Sequence, residues 1–116
     1  MIVSIVKILP LPDKRNEILE ILATVTGPTQ SAPGCLDCVL LEEHGDEAAI
    51  FYVERWRSDQ EMNRHIRSPL YDRVLQAIDL SRTPPDVQYH EISRSSGLEL
   101  VGALRKVVPL EERGVH

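Results

Sequence analysis

Residues 35–56, CLDCVLLEEHGDEAAIFYVERW, contain two runs of β-branched, aromatic and aliphatic residues separated by a short polar segment. The first run covers 35–41 and the second covers 48–56, while the polar segment between them, 42–47, contains Gly45. Two such runs joined by a connection of this length with a glycine are typical of an antiparallel hairpin. The centre of the sequence therefore predicts two neighbouring antiparallel strands.

Before the hairpin, the sequence predicts one strand and one helix. Residues 2–9 are apolar on both alternating faces, which indicates a strand that is covered on both sides. From Asp13 to Thr26 the apolar side chains fall on one helical stripe, and we expect this helix to end at Gly27-Pro28. The prolines and small residues of 28–34 then predict a loop that leads into the hairpin.

After the hairpin, the sequence predicts a helical region and a last strand. Ser58-Asp59-Gln60-Glu61 matches a capping box, in which the serine and the glutamate satisfy free backbone donors at a helix start. Ser68-Pro69 interrupts the helix, so we expect a kink or a short restart before the apolar face of 70–78. Residues 87–92 predict the final strand. The order is β-α-β-β-α-β, which is the α+β ferredoxin-like arrangement with an antiparallel sheet.

The two-sided apolar character of residues 2–9 has a consequence for assembly. The helices of a ferredoxin-like fold cover one face of the sheet, and a second copy packed sheet to sheet covers the other most simply. We therefore predict a homodimer. We assign 1–92 to the ferredoxin-like domain and 93–116 to a C-terminal extension that packs on the domain or on the dimer partner. Within the extension, Ser96-Gly97-Leu98-Glu99 favours a short helix, and a strand added to the partner's sheet is the alternative.

Length and charge exclude several classes of protein. The chain has 116 residues, which is too short for two separate cores. Its formal charge of −5 has the wrong sign for binding a phosphate backbone, so we expect no nucleic acid partner. No apolar run approaches the roughly 18 residues that cross a bilayer, and the first strand lacks a signal-peptide cleavage site. We therefore expect a cytoplasmic protein with no membrane partner.

Cys35 and Cys38 raise the question of redox or metal chemistry. Residues three apart on a regular strand point to opposite faces and lie about 10 Å apart, whereas a disulfide needs Cα atoms within about 7 Å. We therefore predict two reduced thiols. The histidines at 44, 90 and 116 are scattered along the chain, so we expect no metal site.

The chain resembles the antibiotic biosynthesis monooxygenase (ABM) domains over about residues 1–92. The landmarks of the resemblance are Pro33-Gly34-Cys35-Leu36 before the second strand, Glu54-x-Trp56 at the end of the third, and then Ser58, His65 and Ser68-Pro69. The resemblance implies a dimeric α+β barrel. It also implies one of several reactions, namely cofactor-independent oxygenation of quinols and polyphenols, haem degradation, or isomerisation of a phosphorylated signalling sugar.

The first strand argues against the haem-degrading branch. Members of that branch pair a tryptophan and a histidine with an asparagine on this strand. Here the strand offers only Ser4 and Lys7 as polar residues. We therefore expect oxygenation without haem, and no cofactor.

His65 is the predicted catalytic residue. It lies at the margin of the apolar stripe of its helix and can face a cavity between helix and sheet. Cofactor-free oxygenation requires a phenol or enol made anionic, so that it can pass an electron to O2, and an imidazole can accept the proton. Taken with the resemblance, this position predicts a catalytic base. The alternative is a buried histidine that bonds to the backbone.

Aromatic side chains at the end of the third strand are the main candidates for binding the substrate. Three of the five aromatic residues lie within six positions, and such a cluster could stack on a flat substrate. For Trp56 the alternative role is to fill the gap between the third strand and the second helix. The predicted binding residues are Trp56, Tyr52, Phe51, Met62 and Ser4.

Glu54 lies on the same strand face as Trp56, and its burial would require a partner. We expect that partner to be Arg55, Arg57 or Arg64, and Glu54 to have a structural role.

These observations predict a cofactor-independent monooxygenase that acts on a small aromatic or quinol-like molecule. Two alternatives stay open: a non-enzymatic ligand-binding or assembly module of the same fold, and an isomerase that uses the same histidine base. A closed pocket lined by His65 and Trp56 would favour the enzyme. A pocket filled by side chains would favour the module.

Overall fold

The computed structural model describes residues 1–45 and 47–107. Within them, two consecutive short helices occupy the place of the second helix of the expected order, which confirms the predicted restart at Ser68-Pro69. The strands are β1 (Ile2–Ile8), β2 (Cys35–Glu42), β3 (Ile50–Trp56) and β4 (Asp86–Glu91), and the helices are α1 (Arg15–Gln30), α2 (Asp59–Ile66), α3 (Tyr71–Ile78) and α4 (Leu98–Leu104).

The strands form one antiparallel sheet in the order β2-β3-β1-β4. The hairpin of β2 and β3 lies at one edge, as the central sequence predicts, and β1 lies between β3 and β4. In this register Ile5 is opposite Val53 of β3 and Gln88 of β4. The topology confirms the α+β ferredoxin-like fold.

The core lies between one face of the sheet and helices α1 and α3. Alternate residues of β1 and β3 point into it, because successive side chains of a strand face opposite sides. Each large apolar side chain buried here contributes about 1.5–3 kcal/mol relative to exposure. The fully buried members include Val6, Ile8, Ile18, Leu22, Val25, Ile50, Tyr52 and Val74.

The opposite face of the sheet is apolar and only half-covered in the single chain. Val3 and Ile5 of β1 and Phe51 and Val53 of β3 are half-buried there, and Leu41 of β2 is 51% exposed. This arrangement agrees with the two-sided apolar pattern of residues 2–9. The partner that would cover this face stays a prediction.

Helix α1 runs past Gly27-Pro28 to Gln30, so its predicted end is wrong. The last turn is held by tertiary contacts, since Thr29 is fully buried and the Gln30 amide donates a hydrogen bond to the Cys38 carbonyl at 2.8 Å. Such contacts override the local preference of glycine and proline to end a helix. The loop before β2 is therefore only four residues long.

Helix α4 confirms the predicted short helix in the described part of the C-terminal extension. Its N-cap is Gly97 rather than Ser96, so the helix begins one residue later than the capping box indicates. The Gly97 N–H donates a hydrogen bond to the Glu99 carboxylate at 2.8 Å. None of its side chains is buried, and Leu98 is 84% exposed. The part of the prediction that falls on 108–116 lies outside the described residues. In the described ranges, no helix has the length and apolar character to cross a membrane.

Candidate functional site

A buried polar cluster is centred on strand β3. Tyr52, Glu54 and Trp56 alternate along this strand and therefore point to the same, helix-covered face. All three are fully buried. A buried carboxylate is costly unless hydrogen bonds satisfy it, so its partners decide what this cluster can do.

Two side-chain donors and an imidazole surround the Glu54 carboxylate. Tyr52 donates its hydroxyl hydrogen to Oε2 at 2.6 Å, and the Trp56 indole N–H donates to Oε1 at 2.9 Å. Nε2 of His65 lies 2.9 Å from Oε2. An ionised carboxylate accepts hydrogen bonds and donates none, so this set of donors suits the charged form of Glu54.

The expectation that an arginine pairs with Glu54 is wrong. Arg55 points to the outer face of the sheet and bonds to Asp37, while Arg57 bonds to Glu61. Strand alternation explains the first case, because Arg55 occupies an odd-numbered position of β3 and faces away from Glu54, whereas Arg57 lies beyond the end of the strand. The buried partners of the carboxylate are neutral or titratable groups instead.

Helix α2 brings His65 to Glu54. The Ser58 hydroxyl accepts the Glu61 N–H at 3.3 Å, so the capping box begins the helix where the sequence predicts. His65 lies about two helical turns after this cap, which places it over β3 with 5% of its surface exposed. Its ring lies 5.0 Å from the Trp56 ring and 5.4 Å from the Tyr71 ring, the latter edge to face. The imidazole is thus fixed by one hydrogen bond and two aromatic contacts.

A pocket of about 250 Å³ opens beside His65. It lies between the α1–β2 loop and helix α2, and the start of α3 closes one side. Its walls combine apolar side chains with a few polar ones. They are formed by Ala32, Pro33, Glu61, Arg64, His65, Ser68 and Leu70.

The structure brings together some of the predicted site residues and separates others. Tyr52, Trp56 and His65 form one cluster, but Trp56 lies behind His65 and does not line the pocket. Met62 is buried on α2, and Ser4 is buried on β1 opposite Glu54. Phe51 faces the other side of the sheet, where Lys7 lies over its ring, so the expected cluster of three aromatic residues does not form.

The Ser4 hydroxyl has no hydrogen-bond partner within residues 1–45 and 47–107. Its register places it beside Glu54 on β3 and Tyr89 on β4. Ser4 therefore belongs to the same inner face as the cluster, although it does not line the pocket beside His65.

The two cysteines are free, but the reasoning that placed them on opposite faces is wrong. A β-bulge between Cys35 and Asp37 adds one residue to β2, so Cys35 pairs with Trp56 and Cys38 with Glu54 on the same face. The Cys38 thiol donates to the Tyr52 hydroxyl at 3.4 Å, and burial raises its pKa to about 12. In the part of the chain that the structure covers, no group of three His, Cys, Asp or Glu side chains is arranged to hold a metal ion.

Sequence reasoning missed two members of the site. The sequence predicts a structural role for Glu54 with an arginine partner, yet Glu54 is the residue that contacts His65. The sequence signal for this role is the alternation of Tyr52, Glu54 and Trp56 along β3. Alternate residues share a strand face, so the carboxylate lies between the tyrosine hydroxyl and the indole N–H. Tyr71 follows Pro69 at the helix restart, and only the packing of α3 brings it to His65.

Solved structures with the same fold include several bacterial proteins. The Rv0793 protein of Mycobacterium tuberculosis superposes with a TM-score of 0.75 and 26% identity, covering 83% of this chain and 98% of that one. A proposed antibiotic biosynthesis monooxygenase of Nitrosomonas europaea gives 0.73 at 17% identity, covering 81% and 100%. Another from Deinococcus radiodurans gives 0.74 at 16% identity, covering 84% and 97%. At such low identities, the last two similarities show the fold alone.

Two sequence comparisons extend this result. An uncharacterised protein of Synechocystis is 24% identical over 88 residues, which are 75% of this chain, and the chain spans only 60% of that protein's length. The family model for antibiotic biosynthesis monooxygenases matches residues 1–77. The match covers more than half of the chain, including β1 to β3 and the helices that carry His65 and Tyr71. The chain therefore belongs to the antibiotic biosynthesis monooxygenase family.

Proposed function

We propose that the protein is a cofactor-independent monooxygenase that acts on a small aromatic, quinol-like substrate, with His65 as the base. The substrate would bind in the pocket beside His65, and its acidic hydroxyl would meet the imidazole. Family membership supports a monooxygenase-type protein. The geometry of the Glu54–His65 pair supports the finer assignment.

The observation that carries the proposal is the 2.9 Å contact between His65 Nε2 and Glu54 Oε2 at the pocket wall. Because the carboxylate acts as acceptor, Nε2 carries a proton and Nδ1 keeps its lone pair. Nδ1 makes no hydrogen bond to any residue in the described ranges. It is therefore available to accept a proton from a ligand.

Glu54 would also stabilise the product of that proton transfer. Once His65 is protonated, the ring and the buried carboxylate form an ion pair at the same 2.9 Å distance. A carboxylate that orients a histidine and stabilises its charged form is a recurring arrangement around catalytic bases. Positioned proton transfer of this kind contributes about 10² to 10⁴ in rate.

The reaction balances without another reductant. With naphthalene-1,4-diol as substrate, loss of a hydroxyl proton to His65 creates an anion that can pass electrons to O2. One oxygen atom becomes a new ring hydroxyl and the other leaves as water, giving 2-hydroxy-1,4-naphthoquinone. The substrate loses four electrons and O2 gains four. Simple autoxidation would instead give naphthoquinone and hydrogen peroxide.

The test is a measurement of ¹⁸O incorporation from labelled O2 into product, with naphthalene-1,4-diol as the probe and buffer as the background. We expect label in the product and a loss of about 10²-fold or more for His65→Ala. His44→Ala is the matched control, because His44 is an exposed histidine between β2 and β3 with no side-chain hydrogen bond to a described residue. A His65→Ala protein that is folded and fully active would exclude His65 as the base.

Wild-type behaviour separates the other two candidate functions. Tight binding of the quinol without any labelled product would favour a ligand-binding module. Conversion to an isomer without consumption of O2 would favour the isomerase that uses the same base.

We also propose that the protein is a homodimer through the outer face of the sheet. The half-buried apolar side chains Val3, Ile5, Phe51 and Val53 support this, because a patch of this kind is unusual on a monomer. Ile5→Glu should then give a folded monomer in light scattering, whereas Val6→Glu places a charge in the core and should prevent folding. A wild-type protein that is monomeric at micromolar concentration would contradict the proposal.

A further inference from the structure

The pocket beside His65 contains one arginine that makes no ion pair or hydrogen bond within residues 1–45 and 47–107. This residue, Arg64, lines the pocket next to His65 on α2. The protein as a whole carries a net charge of −5, so the positive charge of this guanidinium is opposite in sign to that of the molecule.

The nearby Glu61 carboxylate interacts with the charge of Arg64 but makes its hydrogen bonds to Arg57 and Ser58 instead. Arg57 donates to both of its oxygens, at 3.1 Å from Nε and 2.6 Å from a terminal nitrogen. The Ser58 hydroxyl donates to Oε1 at 2.9 Å. Hydrogen bonds from Arg57 and Ser58 lower the pKa of the Glu61 carboxyl below its usual value. Glu61 is thus held as a charged group paired with Arg57.

The other groups around the pocket offer little else to a polar ligand. Ser68 donates its hydroxyl hydrogen to the His65 carbonyl at 2.6 Å. Ala32, Pro33 and Leu70 form apolar walls. A ligand would therefore meet an apolar slot with a proton acceptor and a cation on neighbouring residues, beside a Glu61 carboxylate that is already bonded to Arg57.

We propose that the substrate is a small aromatic acid, with a hydroxyl group that faces His65 and a carboxylate or similar anionic substituent that pairs with Arg64. This inference rests on the proposed function, since it assigns a substrate class to the same pocket. The planar guanidinium of arginine binds carboxylates through two parallel hydrogen bonds, which gives orientation as well as affinity. Arg64 would then direct the acidic hydroxyl of the ring toward His65.

The size of the pocket restricts the aromatic part. At about 250 Å³ the pocket lies just below the roughly 300–1,000 Å³ of sites for drug-sized ligands. A ring system of one or two fused rings with two polar substituents suits this volume. A hydroxynaphthoate is therefore a suitable probe.

The first experiment measures binding without turnover. Isothermal titration calorimetry compares 1-hydroxy-2-naphthoate with 1-naphthol, which lacks only the carboxylate. We expect wild type to bind the acid at least about tenfold more tightly, and Arg64→Gln to abolish this preference. Arg64→Lys should retain part of it. Arg67→Gln is the matched control, because Arg67 is an exposed arginine on the same helix end that does not line the pocket.

A second readout uses salt and turnover. The preference for the acid should fall as the salt concentration rises, because the pair is accessible to solvent at the pocket. In the labelled-oxygen assay, the 2-carboxylic acid of naphthalene-1,4-diol should have a lower KM than the parent diol in wild type but not in Arg64→Gln.

The outcomes distinguish this inference from the proposed function. Equal binding of the two naphthols by wild type, no binding of either, or an unchanged preference in Arg64→Gln would overturn the assignment of the anion to Arg64. Equal turnover of the diol and its acid would do the same while leaving the oxygenase proposal intact. A preference that depends on Arg64 without any turnover would support the anion site and reject the oxygenase.

Discussion

Tyr52→Phe tests whether the buried carboxylate of Glu54 depends on its hydrogen-bond donors. The substitution keeps the aromatic ring and removes only the hydroxyl group, which donates to Glu54 Oε2 at 2.6 Å and accepts from the Cys38 thiol at 3.4 Å. A hydrogen bond to a charged group contributes about 1.5–3 kcal/mol to stability. At about 4 °C per kcal/mol for a domain of this size, Tm should fall by about 6–12 °C.

The assay is urea unfolding of wild type and Tyr52→Phe at neutral pH, with the free energy of unfolding taken from the midpoint and slope. Tyr71→Phe is the matched control, since the hydroxyl of this buried tyrosine makes no hydrogen bond to a carboxylate within residues 1–45 and 47–107. Its loss should be smaller, about 0.5–1.5 kcal/mol. If Tyr52→Phe costs no more than Tyr71→Phe, Glu54 is not stabilised as a charged acceptor, and the tautomer assigned to His65 loses its basis.

Three further outcomes follow from the same geometry. Burial raises the pKa of Cys38 from 9.0 to about 12, so the neutral thiol stabilises the folded state fully below pH 9. This contribution should disappear as the pH rises toward 12, and the urea midpoint should fall. A urea midpoint independent of pH in that range would argue against a buried thiol. Iodoacetamide should modify the half-exposed Cys35 faster than Cys38 in the folded protein and both after unfolding without reductant, whereas a disulfide would leave both unlabelled in mass spectrometry. Gly34→Ala should cost about 1–2 kcal/mol of unfolding free energy, because Gly34 has a φ of 83° and an added methyl group would meet the Glu61 side chain. Gly27→Ala is the control, because nothing lies within 4 Å of a methyl group added there. Equal melting temperatures of the two variants would contradict the argument.

Much of the site depends on local patterns that the sequence displays directly. The capping box at Ser58 sets the phase of α2, and this phase turns His65 toward the sheet. The alternation of β3 places Glu54 and Trp56 on one face. Both patterns act over a few residues, so the sequence predicts them without knowledge of the fold. The contact between Glu54 and His65 could not be predicted in this way, because His65 lies on a helix that only the tertiary structure brings to β3.

The sequence by itself determined the order of strands and helices, the central hairpin, the restart at Ser68-Pro69 and the orientation of His65, because hydrophobic period and turn chemistry are local properties. Only the tertiary structure decided the other features. The bulge in β2 places Cys35 and Cys38 on the same face of the sheet. Burial of Thr29 in the core stabilises the last turn of α1 beyond Pro28. The pocket unites Pro33 with Arg64 from a separate helix. The bulge, the end of α1 and the pocket all depend on contacts between segments that are distant in the chain. The free energy of such contacts cannot be read from a local sequence pattern.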